Sequence, residues 1–247
     1  MSFGRPHRHF RRTNSTNSRA RELAAAGAPH GTVVTAAEQT DGRGRQGRTW
    51  TAPAGKALLY SAVLRPLDDR HMLLPLAVPL AVCDAAEELR PDIECGVKWP
   101  NDVQIEGRKL AGILIEARPQ DGWAVVGIGL NLAIGAEEFP RELRETAISL
   151  FAEPPAAPRG VTFGRYAAIT HTAKQALDHK LARWARADAD TVLTAWRERD
   201  ALRGKEVSWE GGSGVAAGID DRGYLVVVTA TGERVAVGAG EVHLTVG

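Results

Sequence analysis

Apolar and polar positions along the chain change period several times, and each change marks a different kind of element. Residues 32–36 and 57–64 read as strands, and residues 1–12 as an arm leading into an edge strand. Thr13, Asn14, Ser15, Thr16 and Asn17 set hydroxyls and amides ahead of a helical pattern at 18–26, which Gly27 and Pro29 stop. Ser15 or Thr16 either caps that helix or faces the loop that follows the first strand. Residues 71–90 are strongly apolar and predict a buried helix that Pro75 and Pro79 must start or kink. Short strands follow, with hairpin turns at Glu106-Gly107 and Asp121-Gly122, and 123–132 closes an antiparallel meander. A loop at 153–158 leads to two amphipathic helices, 163–186 and 189–202, with Trp184 and Trp196 in the core. From Gly204 the runs shorten to strands at 205–209, 214–219, 224–229 and 233–237. Turns at Gly211-Gly212, Asp221-Arg222-Gly223 and Thr231-Gly232 separate them, which predicts a small β-barrel. The pattern gives an α+β chain with a main domain at 1–200 and a barrel at 201–247.

Alternation within two strands locates polar groups. From Lys109 onward, period two puts Lys109, Ala111, Ile113 and Ile115 on one face, and Leu110, Gly112, Leu114 and Glu116 on the other. Lys109 then reads either as an amine reaching into a pocket or as a solvated hairpin lysine. Gly127 and Gly129 leave room on one strand face, and Asn131 shares their parity. Its amide meets a ligand there or satisfies a neighbouring backbone group.

Between the first two strands lies Gly42-Arg43-Gly44-Arg45-Gln46-Gly47-Arg48-Thr49-Trp50. Glycines let backbone N–H groups approach a ligand, and guanidinium groups suit carboxylate or phosphate. The spacing fits G-x-G-x-x-G, but a dinucleotide site needs a helix directly after the glycines. Here Pro53, Gly55 and a strand follow, so that reading fails. The remaining readings are an anion-holding loop, a solvated turn, or a nucleic-acid patch.

Composition narrows these. With 31 basic and 30 acidic residues the net charge is +1, so no global attraction to DNA or a membrane is implied. Lysine occurs only at 56, 98, 109, 174, 180 and 205, which makes the pair at 98 and 109 notable. Cys83 and Cys95 lack metal spacing and read as free buried thiols. The basic N-terminus has no apolar core of a signal peptide, and no run approaches the roughly 20 apolar residues of a membrane span. A cytoplasmic protein is expected. The histidines at 7, 9, 30, 71, 171, 179 and 243 form no zinc motif, and neither a Walker A nor a G-x-S-x-G sequence is present. A donor-rich site without a protein nucleophile suits a reaction whose substrates bring their own nucleophiles. Carboxylate activation by ATP is one: the carboxylate attacks the α-phosphate, pyrophosphate leaves, and an amine then attacks the mixed anhydride.

Taken together, the arginine loop, Lys98-Trp99-Pro100-Asn101-Asp102 and Arg108-Lys109-Leu110-Ala111-Gly112-Ile113-Leu114-Ile115-Glu116 resemble the biotin protein ligases. Ser15-Thr16-Asn17 and Gly127-Ile128-Gly129-Leu130-Asn131 stand in the family's order, and the resemblance covers essentially the whole chain. It implies a class II aminoacyl-tRNA synthetase/biotin ligase-like fold with a mixed, mainly antiparallel sheet and an SH3-like C-terminal barrel. It also implies biotin and ATP with Mg²⁺ as substrates, biotinyl-5′-AMP as intermediate, and a biotin carboxyl carrier domain as partner. A monomer or weak homodimer is expected. Carried over, Ser15, Thr16, Asn17, Gln39, Gly42, Arg43, Gly44, Arg45, Lys109 and Gly112 fall on the biotin side. Arg45, Arg48, Trp50, Asn101, Asp102 and Asn131 fall on the ATP side, and Lys109, Arg45 and Arg48 carry the chemistry. No resident metal is expected. Only 12 residues precede the Thr13–Asn17 run, so the resemblance is to members without an N-terminal DNA-binding domain, and no DNA partner is implied. Two positions depart from the pattern: Asn14 where an acidic residue is usual, and Asp41 where a small one is usual. Asp41 is expected to weaken anion binding or to pair with Arg43 or Arg48. The close rival is a lipoate- or octanoyl-transferring relative, and the distant ones a nucleic-acid-binding module or an inactive scaffold.

Overall fold

Strand-forming residues of the first half pair across one sheet, and the apolar helices cover one of its faces. In chain order the elements are β1 (His7–Phe10), α1 (Thr16–Ala25), β2 (Val33–Ala36), β3 (Ala57–Leu64), α2 (Leu74–Leu89), β4 (Gly96–Lys98), β5 (Asp102–Ile105), β6 (Arg108–Arg118) and β7 (Trp123–Asn131). Then come α3 (Arg165–Trp184), α4 (Ala189–Glu198), β8 (Glu206–Trp209), β9 (Gly212–Ile219), β10 (Leu225–Val228), β11 (Arg234–Val237) and β12 (Thr245–Val246). The computed structural model describes residues 2–155, 164–209, 211–239 and 245–246. The expected helix start at 163 and loop residues 156–158 lie outside the described residues.

The large sheet runs β1-β2-β3-β7-β6-β5-β4. β1 joins β2 in parallel and the other pairs are antiparallel, the mixed, mainly antiparallel sheet that the resemblance implied. Alternation on β3 separates its two faces. Leu58, Tyr60, Ala62 and Leu64 enter the main core with residues of α2, α3 and α4. Leu59 and Val63 point the other way, into two small clusters that include Ala20 and Ala24 of α1 and, partly buried, Trp50. Ser61 sits between them, fully buried.

Both prolines of α2 are accommodated. Pro75 lies in the first turn, where a missing N–H leaves no bond unmade. Pro79 lies inside the helix and is buried with its neighbours, so packing offsets the lost hydrogen bond.

The second amphipathic helix stops at Glu198, short of the predicted 202. Residues 199–201 instead cover the outer edge of β4: Val97 N–H donates to the Arg199 carbonyl (2.7 Å) and Ala201 N–H to the Val97 carbonyl (3.0 Å). An edge strand's unpaired backbone groups need partners, and helix continuation would have left these without any.

The C-terminal strands form an antiparallel sheet in the order β11-β10-β9-β8-β12. Gly212, expected in a turn, begins β9. Val207, Ala216, Leu225, Val227 and Val237 belong to the same buried cluster as Leu76 and Leu80 of α2. The Trp99 indole N–H donates to the carbonyl of Gly223 (3.0 Å), a glycine at φ +82° in the predicted turn after β9. No described helix is long and apolar enough to cross a membrane.

Candidate functional site

On the α1 side of the sheet, the predicted residues come together around one cavity of about 400 Å³. Ser15, Thr16, Asn17, Gln39, Arg43, Gly44, Arg45, Arg48, Trp50, Asn101, Asp102, Lys109, Gly112 and Asn131 all line it. Gly42 does not; it borders an adjoining space of about 640 Å³ that shares the arginine loop and reaches Glu116, Pro75 and Ala239. A larger cleft of about 880 Å³ beside Cys95 and Arg199 holds none of the predicted residues.

One end of the cavity is a network of neutral hydrogen-bonding groups at the start of α1. Ser15 caps the helix, accepting from Ser18 N–H at 3.5 Å. Thr16 donates its N–H (2.7 Å) and its hydroxyl (3.0 Å) to the Gln39 side-chain oxygen. Ser61 donates to Thr16 Oγ1 or Asn17 Oδ1, 2.8 and 2.7 Å away. Thus Ser15 is a cap, and the hydroxyls beside it also face the loop. Ser61 gave no signal in the sequence, because it lies in an otherwise apolar strand. Asn14 keeps its side-chain oxygen on Ser15 N–H (2.7 Å), a bond that a carboxylate would also accept.

The other end is cationic. Lys109 pairs with Asp102 at 2.8 Å and stands 5.7 Å from the Trp50 ring centroid. Its position corrects the simple alternation. Lys109 pairs with Gln104 and Ala111 with Val103, so Leu110 is an extra residue, a β-bulge. Leu110 and Ala111 are both fully buried, and Lys109 shares its face with Gly112, Leu114 and Glu116 instead of Ala111, Ile113 and Ile115. A Cβ at Gly112 would lie 3.3 Å from Lys109 Nζ. Lys98 also lines the cavity, and burial pushes its ammonium below the usual lysine range despite the nearby Asp102. Its membership of the 98–102 run and the scarcity of lysine were the available signals.

The arginine loop closes on itself. Trp50 N–H donates to the Gly42 carbonyl (2.9 Å) and Gly44 N–H to the Arg48 carbonyl (2.7 Å). Gly42 has no space for a side chain, since a Cβ would stand 2.2 Å from the Trp50 carbonyl oxygen. Gly47 adopts φ +72°. The Arg45 guanidinium donates to the carbonyl of Ala239 in the C-terminal region. Burial, and secondarily Arg48, lowers its pKa from the usual arginine value. Arg43 pairs with Glu116 at 2.8 Å and not with Asp41.

Trp50 occupies the room that the strand glycines leave. A Cβ at Gly129 would stand 2.3 Å from indole Cε2, and one at Gly127 would stand 2.0 Å from Asn17 Oδ1. Gly129→Ala is therefore expected to push the indole off the sheet and to cost about 1–3 kcal/mol of overpacking strain. A thermal melt checks this, and an unchanged midpoint would mean that Trp50 rests elsewhere. Asn131 donates to the Ile148 carbonyl (3.1 Å) and Asn101 to the Ile113 carbonyl (3.0 Å), so both amide N–H₂ groups serve the cavity wall. Phe139, Leu143, Thr146 and Ala147 complete that wall, held where Lys109 N–H donates to the Thr146 carbonyl (2.7 Å). Nothing in the sequence pattern marked that segment.

The arrangement joins a neutral hydrogen-bonding end to a cationic end through an apolar middle that includes Trp50, Leu114 and Ile128. Among the described residues no histidine or cysteine lines it. Such a cavity suits an elongated ligand with a polar head and an anionic tail.

Comparison with known proteins agrees with this chemistry. The family model for the biotin/lipoate A/B protein ligase family matches residues 9–132, and that for the biotin protein ligase C terminal domain matches residues 204–244. The chain is 37% identical over 245 residues to the biotin--[acetyl-CoA-carboxylase] ligase of Mycobacterium tuberculosis, covering 94% of this chain and 86% of that protein. With the bifunctional ligase/repressor BirA of Bacillus subtilis it shares 40% identity over 143 residues, 56% of this chain but only 43% of that relative. The biotin protein ligase from Aquifex aeolicus, solved in complex with biotin and ATP, superposes with a TM-score of 0.77 at 26% identity, covering 99% of this chain and 100% of that one.

Proposed function

The chain belongs to the biotin/lipoate A/B protein ligase family, and on that premise we propose that it joins biotin to a lysine of a biotin carboxyl carrier domain at the expense of ATP. The observation that carries the reading is the single cavity with neutral donors at one end and Lys109, Arg45 and Arg48 at the other. In the first step a biotin carboxylate oxygen attacks the α-phosphorus of ATP; the P–O bond to pyrophosphate breaks and biotinyl-5′-AMP forms. In the second, the carrier lysine, as its free amine, attacks the acyl carbon. AMP leaves with the bonding pair, the amine loses a proton, and an amide remains.

Each residue has a physical task in this scheme. Ser15, Thr16, Asn17 and Gln39 supply donors and acceptors to the fused-ring head of biotin. Gly112 bounds its apolar chain, and Trp50, beside Lys109, stands on the nucleotide side. Lys109 stands where carboxylate and α-phosphate meet, screening their repulsion and stabilising the charge that grows on the phosphate. Arg45 and Arg48 hold the phosphates, with Gly42, Arg43 and Gly44 shaping the loop. Asn101 and Asn131 flank the nucleotide. Asp102 holds Lys109 in place and lies where the incoming amine must deliver its proton. No group of three His, Cys, Asp or Glu suited to a metal occurs among the described residues, and Mg²⁺ enters as part of the Mg–ATP substrate.

The test is incubation with Mg–ATP, biotin and a carrier domain, followed by mass spectrometry. One biotin adduct on the carrier, absent without ATP and not matched by lipoate or octanoate, is expected. A lipoyl or octanoyl adduct in its place would move the substrate to the other branch of the family. No adduct with any acid, together with salt-sensitive binding to DNA or RNA, would favour a nucleic-acid role for the arginines.

A further inference from the structure

The carboxylate of Glu116 lies at the far end of the face that the Leu110 bulge gives to Lys109, Gly112 and Leu114. Its Oε2 accepts from Arg43 Nη2 at 2.8 Å and from Asn17 Nδ2 at 2.9 Å. Its Oε1 accepts from Arg21 Nη1 at 3.0 Å, with Arg43 Nη1 at 3.4 Å. Three parts of the molecule therefore meet on one side chain: the start of α1 through Asn17, its next turn through Arg21, and the arginine loop through Arg43. The Glu116 side chain is 24% exposed and that of Arg43 32%, so the pair is partly shielded from water and screened less than a surface ion pair. Arg43 is also the loop arginine whose charge is already matched by a carboxylate.

We propose that Glu116 is a positioning residue for ligand binding: it ties the arginine loop to the α1 end of the cavity through Arg43, and Arg43 is the loop's anchor instead of a ligand for the substrate carboxylate. The substrate half of this inference rests on the ligase reading; the anchoring half does not. A loop ordered before the ligand arrives costs less to close over it, so the anchor acts on binding of the first substrate more than on turnover.

The test uses the full chain as Glu116→Gln, Arg43→Gln and the double variant, with Glu116→Asp as a milder change that keeps the charge. The first readout needs no substrate: the rate at which trypsin cuts after Arg45 and Arg48. Faster cutting is expected in both single variants, with Glu116→Asp intermediate. The second readout is steady-state kinetics. Each single variant is expected to raise KM for biotin by about tenfold with kcat within about twofold, and the double variant to be no worse than either single. Additive losses, with Arg43→Gln far more severe than Glu116→Gln, would overturn the proposal by placing Arg43 on the substrate. Unchanged cutting together with unchanged KM would also overturn it. If the parent chain does not turn over biotin at all, the ligase reading fails, and the trypsin rates still decide the anchor.

Discussion

Lys109→Ala is expected to abolish adenylation while leaving the fold intact. Two effects add. The variant loses the cation that stands between two anionic substrates, and it deprives Asp102 of its ion-pair partner at 2.8 Å, leaving more net negative charge in the same space. Removing one donor from a developing oxyanion typically costs about 10²–10³ in rate, and the exposed carboxylate makes that a lower bound. Stability is expected to change little. The Lys109 side chain is 35% exposed, its ion pair belongs to a class worth about 0–1 kcal/mol, and its backbone bonds to Thr146 and Ile148 do not depend on the side chain. Biotin-dependent exchange of labelled pyrophosphate into ATP measures the chemistry, and a thermal melt measures the fold. Exchange at the parent rate would remove Lys109 from the reaction.

Arg45→Gly is expected to let the acyl-adenylate escape. Arg45 links the loop to the C-terminal region through the Ala239 carbonyl and lines both cavities that the loop separates. Glycine removes the link, a phosphate-directed charge and a restraint on backbone freedom at once. A mixed anhydride released into solution acylates amines without selection, whereas one kept under a closed loop meets only the lysine that docks there. Labelling is read by incubating parent and variant with biotin, Mg–ATP, the carrier domain and an unrelated lysine-rich protein. The parent is expected to label the carrier alone. The variant should label both, raising the bystander signal by about tenfold or more for the same adenylate made. Continued confinement to the carrier would mean that Arg45 does not seal the intermediate.

Much of this site could be read from residue order, because its parts lie on local features: a helix cap at Ser15, a glycine–arginine loop, a hairpin lysine. The meander was legible for the same reason, since turn chemistry at Glu106-Gly107 and Asp121-Gly122 fixes neighbouring strands. Long-range facts were not. The bulge at Leu110 leaves no mark in a run of apolar residues, because Leu110 and Ala111 fit a buried strand in either register. The pairing of Glu116 with Arg43 spans 73 positions, and no local rule prefers it to Asp41, two residues from the arginine. Ser61 gives no sign within its apolar strand of the bonds to Thr16 and Asn17 that only the packing of α1 supplies. The end of α4 was misjudged because its amphipathic period continues past Glu198, while the exposed edge of β4 claims the backbone beyond.

The same bulge has an electrostatic consequence. With strict alternation, the residue next to the lysine would be the only one sealing the sheet beneath it. Two consecutive buried side chains, Leu110 and Ala111, put hydrocarbon beneath the lysine, with the indole of Trp50 alongside. Fields from an ion with a low-dielectric wall behind it are focused toward the open side. The extra residue at Leu110 therefore does more than re-aim a side chain: it sets apolar packing behind an ammonium whose other side faces the cavity.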